Sequence, residues 1–261
     1  MNYSPAIAVG LGVSAAIALL APVVLALVLW RKLHASWKAW LLGAATFLVF
    51  QLVLRLPWQI PLGLWLKPRM AAEPWIAWAW LVASAFSAGL FEETGRYVAY
   101  RFAWKDRSAV GGLMLGAGHG GFESIVLVGL SLAGNTVVYV LLGHGMTLGI
   151  PADKLPLVYE QFAKLTPLDA LAGGVERLSG IAFHCGLSLV VLQAFRRGSK
   201  RWVALAMFFH GVANLAGAWA AKTLGAWPAE AIIGVFAVAA IAWVVRCLRE
   251  DRASVADRVL A

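Results

Sequence analysis

Long apolar stretches separated by short polar, cation-rich breaks dominate the chain. A helix needs about 20 residues to cross the ~30 Å hydrocarbon core of a bilayer. Seven stretches meet that length, at about 5–30, 39–57, 74–104, 108–130, 166–195, 202–222 and 228–246. The pattern predicts an all-α polytopic bundle of seven transmembrane helices, with an eighth as the alternative. The first stretch has no Lys or Arg ahead of it and is too long for a signal-peptide core, so it reads as a span. Residues 131–135, with Ser131 and Asn135 at their ends, are expected to break the fourth stretch, leaving 131–165 as an outer loop with a re-entrant or interfacial helix. No repeat or composition shift divides the chain, so 1–261 reads as one integral membrane domain.

Composition agrees with that reading. Apolar residues are 61% of the 261 and charged residues 13%, against roughly 45–50% and 25% in soluble domains. This excludes a water-soluble enzyme and a disordered chain. The two cysteines, Cys185 and Cys247, both lie in apolar stretches, which excludes a disulfide framework or a four-thiolate zinc site. The net charge of +9 is not read as a nucleic-acid signal, because the basic residues sit at the ends of apolar stretches. Fourteen of them follow stretches one, three, five and seven, including Arg31, Lys105, Arg196, Arg246 and Arg258; five (Lys67, Arg69, Lys154, Lys164, Lys222) fall on the other side. The bias predicts an outside N-terminus and a cytoplasmic C-terminus in a cell membrane.

Ionisable groups inside a span are costly and therefore mark function. They are Glu92, Glu93 and Arg96 on stretch three; His119 and Glu123 on four; Glu176, Arg177 and His184 on five; and His210, with Asn214, on six. Arg55 is read as snorkelling from a membrane end. Glu92, His119, His184 and His210 stand about 13, 11, 12 and 9 residues from the cytoplasmic ends of their stretches. At 1.5 Å per residue these depths are ~14–20 Å, so four helices bring one acid and three imidazoles to one level. Glu92/Arg96, His119/Glu123 and His210/Asn214 are i,i+4 pairs, each sharing a helix face. Gly116, Gly118, Gly120 and Gly121 let helices approach closely near His119.

The chemistry open to such a set is hydrolysis. Two adjacent carboxylates with one Arg leave one acid incompletely neutralised. Arg96 is assigned to Glu93, which leaves Glu92 to act with His119 on a water. His184 joins them by depth, and His210 with Asn214 can donate to a developing oxyanion. Glu176 and Arg177 read as an ion pair between helices. A zinc ion on His119, Glu123, His184 and His210 is the alternative; the helical His-Glu-x-x-His signature is absent. No cofactor is required by the metal-free version. A non-catalytic scaffold and a proton-coupled carrier use the same residue types; broken helices at mid-membrane would mark the carrier.

Glu92-Glu93-x-x-Arg96, Gly118-His119-Gly120-Gly121-Phe122-Glu123, Phe183-His184 and His210-x-x-x-Asn214 resemble the motifs of the YhfC-type glutamic intramembrane proteases. That group is related to the CAAX prenyl proteases, the bacteriocin-processing CPBP proteins and the PrsW-type proteases. The resemblance covers about 74–222, the helices carrying the expected active site. It implies a helical bundle with a site sunk in the bilayer and open to the cytoplasm, acting on a membrane protein or peptide. Carried over, Glu92 and His119 activate water, His210 and Asn214 form the oxyanion site, and Glu93 and Arg96 are structural. Two residues, not the three of the CAAX pattern, separate Glu93 from Arg96. Leu115 replaces the aromatic residue four before His119, and His184 fits the YhfC branch alone. These departures argue against prenylated substrates. Members of that branch are often called metalloproteases.

Overall fold

A computed structural model describes residues 3–260, with side chains through Ser254. The side chain of Arg258 lies outside the described residues. The described chain is helical with no strand: α1 Pro5–Leu33, α2 Trp37–Ala72, α3 Pro74–Ala103, α4 Ala109–Gly143, α5 Leu155–Ala163, α6 Asp169–Arg196, α7 Arg201–Thr223 and α8 Ala226–Leu260. All but α5 are long and apolar enough to cross a membrane.

Local chemistry sets the helix ends at the basic face. His34 adopts the left-handed conformation (φ 53°) after α1 and returns its N–H to Leu29 O. Ser36 then caps α2, accepting from Lys38 N at 3.3 Å. Ser108 caps α4, accepting from Gly111 N at 3.0 Å.

Two expectations are corrected. The fourth helix does not break at 131–135 but runs on to Gly143. Thr136, just past that segment, returns its hydroxyl to Leu132 O (2.7 Å), meeting its polar need within the helix. A loop and the nine-residue α5 come next in the chain, held by Phe162 against Tyr139 and its neighbours. The second helix extends to Ala72 rather than ending near 57. It passes through a π-helical turn at Leu48–Arg55 just before Pro57, whose missing N–H loosens the ladder there.

Helix α6 is the most buried span and packs against α1, α3, α4, α7 and α8. Small residues weld the bundle. A Cβ on Gly118 would strike Trp40 O, and one on Gly43 would strike Leu115 O, so α2 and α4 touch backbone to backbone. Gly116 meets Cys185 Cα of α6, and Gly89 of α3 meets Met207 O of α7, in the same way. Large apolar side chains such as Leu64, Val235 and Val238 cover the outside, as a lipid-facing surface requires.

Candidate functional site

The welds between α2, α4 and α6 fix the height at which each polar side chain enters the interior. Glu92, Glu93, Arg96, His119, His184 and His210 are all buried. Glu92 Oε2 lies 2.9 Å from His119 Nε2 and 3.9 Å from His210 Nε2. The His119 and His184 ring centroids are 5.1 Å apart, and those of His184 and His210 5.3 Å. The structure thus gathers one acid and three imidazoles from α3, α4, α6 and α7 around one point.

Hydrogen bonding fixes which nitrogen of each ring carries hydrogen. Thr46 Oγ1 donates to Gly43 O at 2.6 Å, and a carbonyl can only accept. The Thr46 hydroxyl therefore accepts from His119 Nδ1, 2.8 Å away. The Nε2 of a neutral His119 then turns a lone pair toward Glu92. His210 Nδ1 lies 2.7 Å from Glu93 Oε1, a carboxylate already paired with Arg96. It donates to that oxygen, and a neutral His210 also turns its Nε2 lone pair toward Glu92. His184 differs. Its Nδ1 is 2.6 Å from the Arg96 guanidinium, which can only donate, and its Nε2 is 2.6 Å from Glu123 Oε2. Both nitrogens of His184 are engaged.

Glu93 and Arg96 form the expected ion pair, and each also grips an imidazole. Glu123 pairs with Arg177 at 3.2 Å, and Arg177 also pairs with Glu176, so this trio ties α4 to α6. Asn214 lines the adjoining cavity of about 350 Å³, together with Glu92, His184 and His210.

Three residues of α2 join the site without being expected there. Arg55 does not snorkel: it is 5% exposed and lines the same cavity. Its Nε donates to Ser87 Oγ (3.1 Å), Nη1 to Gln51 Oε1 (2.9 Å) and Nη2 to Ser84 O (2.6 Å). The π-helical turn puts Gln51 and Arg55 inside together, as the only buried residues of that segment. An intramembrane Arg is a visible signal, but an apolar stretch ending at 57 places it at the membrane edge. Thr46 and Gln51 are neutral polar residues in an apolar stretch and carry no signal.

The donor set also bears on a metal. Glu92, His119 and His184 each offer an atom within 4.8 Å of the others. The expected zinc set had Glu123 and His210 beside His119 and His184, without Glu92. Zinc ligands lie about 2.0–2.2 Å from the ion. The Glu92–His119 and Glu92–His210 separations of 2.9 and 3.9 Å are compatible with one shared ion. His119 and His210 have their Nδ1–H groups anchored by an oxygen, as metal-bound imidazoles do. The residues fit a divalent metal.

Residues 17–237 match the family described as YhfC intramembrane metalloprotease. The chain is 31% identical over 252 residues to "Uncharacterized membrane protein YhfC" of Bacillus subtilis strain 168, covering 92% of this chain and 95% of that protein. No solved structure matches.

Proposed function

The chain belongs to the YhfC family, and from that premise we propose that this multi-pass membrane protein is a peptidase hydrolysing a peptide bond of a membrane-embedded protein or peptide. The observation that carries this reading is the 2.9 Å contact between Glu92 Oε2 and His119 Nε2 inside an apolar bundle. With Nδ1–H held by Thr46, a proton must lie between that lone pair and the carboxylate for the two to bond. An acid and a base sharing one proton can take a proton from an attacking water and return it to the leaving amine. Their burial strengthens every such interaction by excluding bulk water.

The other groups support those steps. Asn214, lining the cavity, can offer amide hydrogens to the carbonyl oxygen as charge builds there. His210 can do so only when doubly protonated, because its neutral form has its hydrogen on Glu93. Arg96 holds Glu93 and His184 in place and does not face the cavity. Glu92, His119 and either His210 or His184 would hold a divalent metal. His184 would first have to give up its contact with Arg96 or Glu123. When bound, the metal would polarise the scissile carbonyl and lower the pKa of water.

The span carrying His119 stays helical through 116–121 and on through a π-helical turn at Ser124–Gly129, without the unwound segment of a discontinuous carrier helix. We take the N-terminus as outside and the C-terminus as cytoplasmic from the 14-to-5 bias in basic residues.

The test is cleavage by purified protein in lipid nanodiscs, offered a library of membrane-anchored peptides and read by mass spectrometry. Metal content is measured before and after chelation. Wild type is expected to release defined fragments, and Glu92→Gln and His119→Ala to release none. Equal turnover by either variant would overturn the assignment.

A further inference from the structure

Of the buried guanidiniums around the cavity, Arg55 alone has no carboxylate within 4 Å among the described residues. Arg96 pairs with Glu93, and Arg177 with Glu123 and Glu176. Arg55 is buried too, and its three hydrogen-bond partners, Gln51, Ser84 O and Ser87, are all uncharged. A buried guanidinium whose nearest acids stand across a cavity gains little from them, and a carboxylate in direct contact would complete it. A guanidinium has five N–H groups, and three are used here. One hydrogen on each terminal nitrogen is left over, so the group can still donate twice to a carboxylate. The side chain lines the cavity that also exposes Glu92, His210 and Asn214. The neutral partners position the guanidinium without neutralising it.

The place of Arg55 sets a length. Its contacts Ser84 and Ser87 stand eight and five residues before Glu92 on α3. That is roughly 8–12 Å along the helix axis. An extended peptide covers the distance in about three residues. Arg55 therefore sits beyond the height of Glu92, toward the end of the bundle poor in basic residues.

We propose that Arg55 is a specificity residue that binds a carboxylate of the substrate, about three residues from the bond that is cut. The carboxylate is either the free C-terminus of a peptide or the side chain of an Asp or Glu. The spacing to the scissile bond rests on the peptidase reading; the binding of a carboxylate does not.

Three apolar, dansyl-labelled tetrapeptides test this: one with a free C-terminal carboxylate, its C-terminal amide, and the amide with Asp as fourth residue. Affinities are measured by fluorescence titration on wild type and on Glu92→Gln in nanodiscs. At least one acid is expected to bind both proteins about tenfold more tightly than the neutral amide, as a charge-assisted pair implies. Preference for the free acid alone identifies a C-terminus, and preference for both acids identifies a side chain as sufficient. Arg55→Gln is expected to bind all three peptides alike. The wild-type comparison of acid with amide needs no variant and stands even if Arg55→Gln fails to fold. Equal binding of acids and amide by wild type, or a preference that survives in Arg55→Gln, would overturn the proposal. Retained preference in Glu92→Gln without any cleavage by wild type would count against the peptidase reading alone.

Discussion

Replacing Thr46 with Val tests the hydrogen-bond logic of the site with little change in volume. The hydroxyl sits 2.8 Å from His119 Nδ1 and 2.6 Å from Gly43 O. Its loss leaves a buried imidazole N–H without an acceptor, which costs about 1–3 kcal/mol. The ring can escape that cost by moving its hydrogen to Nε2, which puts a donor, in place of a lone pair, against Glu92. Either outcome penalises the acid–base pair. At 1.36 kcal/mol per tenfold, turnover should fall roughly 5- to 150-fold. The assay is single-turnover cleavage in nanodiscs with thermal unfolding in parallel. Thr46→Ser keeps the hydroxyl and should restore most of the rate, which mere loss of packing would not allow. A Thr46→Val enzyme as fast as wild type, or a Thr46→Ser enzyme as slow as Thr46→Val, would refute the tautomer argument.

Further outcomes rest on the packing and the charges. Gly118→Ala drives a methyl group into the Trp40 backbone; it should lower the unfolding temperature and the yield of folded protein, read by fluorescence-detected size exclusion. Arg177→Leu strips Glu123 and Glu176 of their shared cation and should destabilise by about 3–5 kcal/mol, whereas adding Glu123→Gln should recover part of the loss in a double-mutant cycle. Cysteines placed at Ser36 and Ser199 in a chain lacking Cys185 and Cys247 should react with an impermeant maleimide only in inside-out vesicles. Reaction in intact cells would reverse the assigned orientation.

Much of the bundle is legible in apolar stretch and flanking charge, because a bilayer imposes its thickness on any helix that crosses it. The structure departs from that reading where neutral residues decide. Ser131 and Asn135 look like a break, yet the helix runs through them, and Thr136 beside them satisfies its hydroxyl on its own helix. Pro57 looks like a stop, yet a π-helical turn absorbs it. The convergence of Glu92, His119, His184 and His210 is visible as equal depth, since rise per residue is fixed. Their pairing is not. That His210 takes Glu93, and His184 takes Arg96 and Glu123, depends on the rotation of each helix about its axis, which close approach at Gly43, Gly89 and Gly116 sets.

The ion pairs around the cavity do not add up to neutrality. Glu92, Glu93, Glu123 and Glu176 bring four negative charges, and Arg55, Arg96 and Arg177 bring three positive ones. With neutral imidazoles these seven groups sum to one negative charge, which a proton shared by Glu92 and His119 balances. A proton on that pair, or a cation held in its place, would belong to the folded protein as well as to the reaction. Whatever fills that deficit links two quantities usually measured apart: the endurance of the bundle and its rate of turnover should rise and fall together as the filling species is supplied or withdrawn.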